Sequence, residues 1–448
     1  MTKELATKLS RPVPRYTSYP TAPHFHTAVG QGQYEEWLRD LPSIAHISLY
    51  LHLPFCDRLC WFCGCHTKQI NRYSPITAYL EALRAEIRWV GSIVGNQRVT
   101  AVHWGGGSPS LLEPDDIAAT SKLLRDTFDF AAEVEFSVEL DPNDMAEEKY
   151  GAWSRAGMTR ASIGVQDFNP QVQAAINRIQ TYEQTRRVVE SVRAVGVQSL
   201  NIDMLYGLPH QTVAGAADTA RQVASMRPER VALFGYAHVP WMKKHQSMID
   251  EKALPDSAER FLQSEAAAAE LIVRGYERVG FDHFALPHDR LAIASRSGRL
   301  RRNFQGYTAD QHDALIGLGA SAIGRLPQGY VQNVVSTHEY QRRAVGGEGV
   351  VERGVALTRE DHVRGHAIER LLCDFGLDFD SLRAIFGVDA NPVVEDAISM
   401  AINDEHGIVR LLSERLEVTD RGRPFVRSIA AGLDAYLQVG NTRYSKAV

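Results

Sequence analysis

The chain has 448 residues, enough for two or three domains or for one large α/β barrel with a smaller partner. Its composition, 44% hydrophobic and 23% charged, is that of a globular protein rather than a disordered or fibrous one. A formal charge of −5 argues against an extensive nucleic-acid surface, and no apolar run is long enough to span a bilayer.

The first residues, MTKELATKLSRP, lack the apolar core of a signal peptide, so the expected compartment is the cytoplasm. From residue 46 the chain alternates strand-like and helix-like segments. HISLYLHLP, VTAVHWGGG, VEFSVELDP, RASIGVQD, SLNIDMLYGLP and RVALFGYAHVP form a series of six expected strands. The first helix between them is expected to open with Ser74 as N-cap and Pro75 at the first helical position. Leu80, Leu83, Ile87 and Val90 then recur at core-facing spacing. EPDDIAATSKLLRDTF, TYEQTRRVVESVRAVG and TVAGAADTARQVASM behave in the same way. Six βα units in order predict a parallel sheet with right-handed crossovers, closed as an open or partial barrel.

A long helix, SAERFLQSEAAAAELIVRGYERVG, follows, and FDHFALPHD and RRNFQGYTAD read as loops. A more helical segment starts near Val350, with Thr358 and Asp361 at capping-box spacing. Near the end GIVRLLSERLEVTDRGRPFVRSIAAGLDAYL suggests a hairpin and a helix, like a wing. Such a module either packs or binds DNA, and packing is expected here. The expected division is an N-terminal segment over residues 1–45, a barrel over 46–325 and a mostly helical domain over 326–448.

The unusual residues gather at the carboxyl ends of the expected strands. A cysteine cluster follows strand one and GGGSP follows strand two; Glu139 and Asp141 close strand three, and Gln166 and Asp167 strand four. Asp203 with YGLP closes strand five, and Tyr236, Ala237 and His238 strand six. Parallel barrels build their sites at that end, so one site at the barrel mouth is expected. Singly, each residue has a plainer explanation: a salt-bridged strand end, or a glycine that only makes a turn.

Four of the five cysteines lie in CDRLCWFCGC, as Cys56, Cys60, Cys63 and Cys65; the other, Cys373, is far away. In the cytoplasm such a cluster points to metal or redox chemistry rather than to disulfides. Structural zinc sites pair two C-x-x-C knuckles from separate segments, and the second knuckle is missing. C-x3-C-x2-C instead offers thiolates to three irons of a [4Fe–4S] cluster and leaves the fourth open for a ligand.

This loop, after the first strand of a partial barrel, resembles the radical S-adenosylmethionine superfamily. RYTSYPTAPHF, LYLHLPFCDRLCWFCGC, HWGGGSP, VELDP, GVQDFN, NIDMLYGLP, YAHVP, DHFA and NFQGYT, in this order, resemble the oxygen-independent coproporphyrinogen III oxidase family. The resemblance implies a radical-type partial (β/α)6 barrel and a [4Fe–4S] cluster on Cys56, Cys60 and Cys63. It implies S-adenosylmethionine on the open iron, lined by Tyr50, Phe62, Gly106, Glu139, Ala237 and Ile323. It also implies a second S-adenosylmethionine on Gly107, Ser108, Gln166, Arg178 and Asp203, with Ser108 standing where the family's GGGTP has threonine. Cys65 is then no cluster ligand, and is either catalytic or a small residue packed under the loop.

The implied reaction is oxidative decarboxylation of two propionates of coproporphyrinogen III to vinyl groups through a 5′-deoxyadenosyl radical, giving protoporphyrinogen IX. An electron donor and acceptor lie outside the chain. The propionates need cations, and RSGRLRRNFQGY has four arginines, which otherwise form a solvated face. The alternatives are a haem chaperone or haem-cleaving methyltransferase of the same superfamily, or a porphyrin-binding module without turnover. Cys65 and RYTSYPTA favour the oxidase.

Overall fold

The computed structural model describes residues 7–95, 97–437 and 444. Six parallel strands run in chain order: β1 (His46–Leu53), β2 (Arg98–Gly106), β3 (Asp129–Leu140), β4 (Arg160–Gln166), β5 (Ser199–Tyr206) and β6 (Arg230–Gly235). The crossover helices are α1 (Ser74–Ile93), α2 (Pro114–Thr127), α3 (Glu147–Ala156), α4 (Tyr182–Ala194), α5 (Val213–Ser225) and α6 (Ser257–Val273). On α1 the expected stripe of Leu80, Leu83, Ile87 and Val90 is buried. The helix starts one residue earlier than expected: Tyr73 is the N-cap, without a side-chain bond, and Ser74 is already inside.

The sheet is larger than six strands. Ala314–Leu318 joins it as a seventh parallel strand beside β1, with all five residues buried. Antiparallel strands extend both edges: Ile323–Leu326, Gly329–Asn333 and Val351–Ala356 beyond the seventh strand, and His283–Ala285 with Glu277–Val279 beyond β6. The sheet therefore has 12 strands and continues past residue 325. FDHFALPHD is thus not a loop, because His283–Ala285 pairs with β6. RRNFQGYTAD is a hairpin, Arg301–Asn303 against Gly306–Thr308. Runs of three apolar or mixed residues carry too little periodicity to be read as strands without their partners.

The C-terminal part is built on helices Arg359–Asp374, Phe379–Phe386 and Asn391–Ile402. The capping box of Thr358 and Asp361 is formed. The hairpin Val409–Leu412 and Arg415–Val418 takes a third strand, Gly376–Asp378. Val13, Tyr16 and Tyr19 of the N-terminal segment and Phe261 of α6 are buried in the same core as these helices. Tyr16 donates to Asp434 at 2.9 Å, which ties the segment around Tyr16 to the C-terminal part. Among the described residues no helix is long and apolar enough to cross a membrane.

Candidate active site

After β1 the chain makes a short ladder, Phe55–Cys56 against Lys68–Gln69, which closes the cysteine loop at its base. The loop is then held through its own backbone. The turn after β4 takes it by Trp61 N–H to the Ile176 carbonyl (2.9 Å) and by Asn177 Nδ2 to the Leu59 carbonyl (3.0 Å). From the segment after β6, Gln246 reaches the Phe62 carbonyl (2.9 Å), His245 that of Cys63 (2.7 Å) and Lys243 that of Cys65 (3.0 Å). With these backbone groups bonded to the protein, the four cysteines line a common cleft.

That donor set fits an iron–sulfur cluster. Cys56, Cys60 and Cys63 line one cleft, and cysteine thiolates are the ligands such a cluster takes. Burial pushes the Cys56 thiol up to about 12 and raises Cys60 as well. The hydrogen bond with Cys65 brings Cys63 down to about 7. Iron binding must therefore displace protons from this loop. Cys65 is exposed, and its backbone N–H points to the Cys63 sulfur at 3.4 Å.

The cleft, about 880 Å³ up to its open mouth, is walled by the carboxyl ends of β2 to β5. Cys56, Cys60, Phe62, Cys63, Cys65, Gly106, Gly107, Ser108, Glu139, Gln166, Arg178 and Asp203 all line it. Glu139 accepts from His103 Nε2 and from the Gly106 N–H, both at 3.0 Å. Burial disfavours its ionised form, but those bonds and the neighbouring His103 outweigh burial and hold the carboxyl below its ordinary value. Gly106 has φ +103°, and a Cβ there would sit 2.3 Å from the His52 ring. A Cβ on Gly107 would sit 2.4 Å from the Phe55 carbonyl, so glycine lets β2 lie directly against the cysteine loop.

Arg178 pairs with Asp141 at 2.9 Å, donates to the Gly164 carbonyl at 2.8 Å and faces the Cys60 sulfur at 3.6 Å. Its Nε is buried without a partner. The Ser108 hydroxyl is committed to Asp144 at 2.6 Å. Asp203 accepts from Asn201 at 2.7 Å, and burial pushes its carboxyl up to about 6. Gln166 ends β4 with φ +70°, a conformation a side-chain-bearing residue adopts only where its surroundings impose it. Asp167 is wholly buried and bonded to Gln211 at 2.7 Å, which makes it a brace.

Tyr50, Ala237 and Ile323 do not line the cleft. Tyr50 stacks on His103 with ring centroids 5.7 Å apart and bonds His52 at 3.0 Å. Ala237 follows the end of β6, and Ile323 packs near Phe25 and Tyr330. Cys373 is buried in a separate small core. Several contributors had no sequence signal: the clamp of Lys243, His245 and Gln246, and Arg58, Thr67 and Ser162 in the cleft wall. His103 had one, since it shares the alternating face of β2 with Gly105.

Comparison with known proteins agrees with this geometry. Residues 50–223 match the radical SAM superfamily and residues 357–425 the HemN C-terminal domain. An oxygen-independent coproporphyrinogen III oxidase of Bradyrhizobium diazoefficiens is 45% identical over 437 residues, 97% of this chain and 97% of that protein. One of Paracoccus denitrificans is 45% identical over 95% of this chain and 94% of its own. The solved coproporphyrinogen III oxidase of Escherichia coli, described as a radical SAM enzyme, superposes with a TM-score of 0.90 at 35% identity. That match covers 95% of this chain and 100% of the other.

Proposed function

The chain belongs to the oxygen-independent coproporphyrinogen III oxidase family and is a radical S-adenosylmethionine oxidoreductase, and from that premise we propose which of its residues carry the reaction. The substrate is coproporphyrinogen III. Each of two propionates loses a hydrogen atom from its β-carbon, then carbon dioxide and one electron, and becomes a vinyl group. The [4Fe–4S] cluster and the S-adenosylmethionine on it supply, when bound, the electron and the carbon radical that takes the hydrogen.

Cys56, Cys60 and Cys63 hold the cluster. Gly106 and Gly107 bring the β2 backbone against the cysteine loop at the cofactor's edge, and Glu139, kept ionised, accepts hydrogen bonds from its amino or hydroxyl groups. Phe62 presents its ring to the cleft while Gln246 holds its carbonyl. Tyr50, which stacks on His103, helps to set Glu139 for that ligand. A second S-adenosylmethionine sits against Gly107, Ser108, Gln166, Arg178 and Asp203. The partnerless Nε of Arg178, aimed by the pair with Asp141, supports this, because a guanidinium in that state suits a carboxylate. Cys65, open to the cleft and outside the three-iron spacing, serves catalysis rather than iron binding.

The observation that carries the function is the backbone-clamped cysteine loop facing Glu139 across a cleft at the barrel mouth. Reduced protein incubated without oxygen with S-adenosylmethionine and coproporphyrinogen III should yield protoporphyrinogen IX. Binding without any vinyl product, from protein with a full cluster, would make it a carrier instead.

A further inference from the structure

We propose that a second cavity, between β6, α6 and the C-terminal helices, is a carboxylate subsite that holds propionates of the tetrapyrrole while another is at the cofactor. The cavity opens to solvent and shares no residue with the cysteine cleft. It is lined by Arg15 of the N-terminal segment, Tyr206 at the end of β5, Gly235 at the end of β6, Asp282 in the edge hairpin, Arg302 of the separate hairpin Arg301–Asn303, and Arg427. The choice of a propionate rests on the oxidase assignment; the cavity's preference for an anion rests on geometry alone.

Arg302 is the first reason. It is 9% exposed, and its Nε and Nη1 have no partner. Its Nη2 reaches Asp282 only at 3.5 Å. The guanidinium is held flat instead, 4.6 Å from the ring centroids of both Phe281 and Tyr307, which orients it without neutralising it. Of the four arginines in RSGRLRRNFQGY, Arg296 pairs outward with Glu277 and Arg301 with Glu369, and Arg299 is exposed. Arg302 alone is turned into the cavity.

The second reason is the charge balance. Arg15 and Arg427 share the cavity with Arg302, and Arg260 lies over the Tyr206 ring at 5.6 Å. Arg15 donates to the Gly235 carbonyl at 2.8 Å and keeps an exposed surface although protein surrounds it, so that surface faces the cavity. Arg427 is buried, and its Nη2 donates to the Val13 carbonyl at 2.9 Å, which ties the Arg15 segment in place. Against these guanidiniums stand Asp282, shared with His283 at 2.7 Å, and Glu265, committed to Arg278 at 3.1 Å. Burial, reinforced by Arg15, pulls Arg427 down to about 9. Arg15 and Arg302 share Asp282 as a neighbouring carboxylate, and the guanidinium fork matches a further carboxylate.

Position is the third reason. Tyr206 of this cavity is three residues beyond Asp203 of the cysteine cleft on the same strand, about 10 Å of extended chain. A molecule with propionates on opposite sides of a macrocycle can bridge such a span, and Phe234 and Phe281 give the rim an apolar surface for the ring.

Fluorescence titration of the reconstituted enzyme with coproporphyrin III, which carries the four propionates, and with its tetramethyl ester tests this. Arg302→Gln and Arg15→Gln should each raise the Kd for coproporphyrin III about tenfold, with the ester's Kd, the iron content and the melting temperature unchanged. Arg15→Gln removes one bond to a backbone carbonyl, so it decides the matter even if Arg302→Gln folds poorly. An unchanged Kd in Arg15→Gln, whether or not inorganic phosphate binds the cavity, would overturn the subsite and leave the oxidase assignment standing. No binding of coproporphyrin III by the unmodified enzyme would likewise overturn the subsite.

Discussion

Cys56 and Cys65 show how one loop can ask different things of the same residue type. Cys56 is partly buried, with its sulfur 3.0 Å from the Thr67 hydroxyl and its thiol pushed up to about 12, so only a bound metal keeps it as thiolate. Cys56→Ala should therefore lose the cluster's visible absorbance and all S-adenosylmethionine cleavage. Cys65→Ser should keep its iron, and iron loss equal to that of Cys56→Ala would make Cys65 a ligand. Arg178 carries the second residue-scale expectation. Equilibrium binding to the reconstituted, substrate-free enzyme should count two S-adenosylmethionines per chain, and one in Arg178→Ala. The cluster should survive that change, because the loop around Cys60 is fixed by Trp61 and Asn177 rather than by the arginine. A count of one in the unmodified enzyme would retire the second site. The sequence put the cysteines and Ser108 at strand ends and Arg178 in the helical stretch after β4; it could not show that Ser108 is committed to Asp144, which is remote in sequence.

Elements meet at Glu86 on α1, which accepts from the Gly319 N–H and Asn333 (both 2.7 Å) and from Tyr340 (2.5 Å). This one carboxyl joins the first crossover helix to the turn after the seventh strand and to the edge hairpin. Burial pushes it from 4.5 up to about 7. A folded-state value above the unfolded one means its contribution is complete below about pH 4.5 and is lost as pH rises through 7. The melting-temperature advantage of the enzyme over Glu86→Gln should accordingly shrink between about pH 5 and about pH 8. A constant gap would mean that Glu86 ionises at its ordinary value. Glu86 falls among the apolar positions of α1, so periodicity marks it as buried; its partners lie more than two hundred residues away.

Over the whole molecule, the cysteine loop depends on the barrel far more than the barrel depends on the loop. Its backbone bonds go to the turn after β4 and the segment after β6, and none of them needs iron. Chelating the iron should leave the far-ultraviolet circular dichroism unchanged, with faster amide exchange confined to about residues 56–70. Exchange that spreads to β1 and β2 would show that the cluster holds the barrel together.

The sequence by itself determined the six βα units, the capping box at Thr358, the cysteine spacing and the gathering of polar groups at one end of the sheet. Each is a local pattern: hydrophobic period, turn chemistry or ligand spacing acts over a few residues and is written where it acts. Tertiary structure decided the seventh strand, the edge hairpins, the clamp of Lys243, His245 and Gln246, and which arginine turns inward. Ala314–Leu318 is a strand because β1 has an open edge, and Arg302 is buried because Phe281 and Tyr307 flank it. Pairing and charge balance depend on what arrives from elsewhere in the chain, and no short stretch of sequence carries that information.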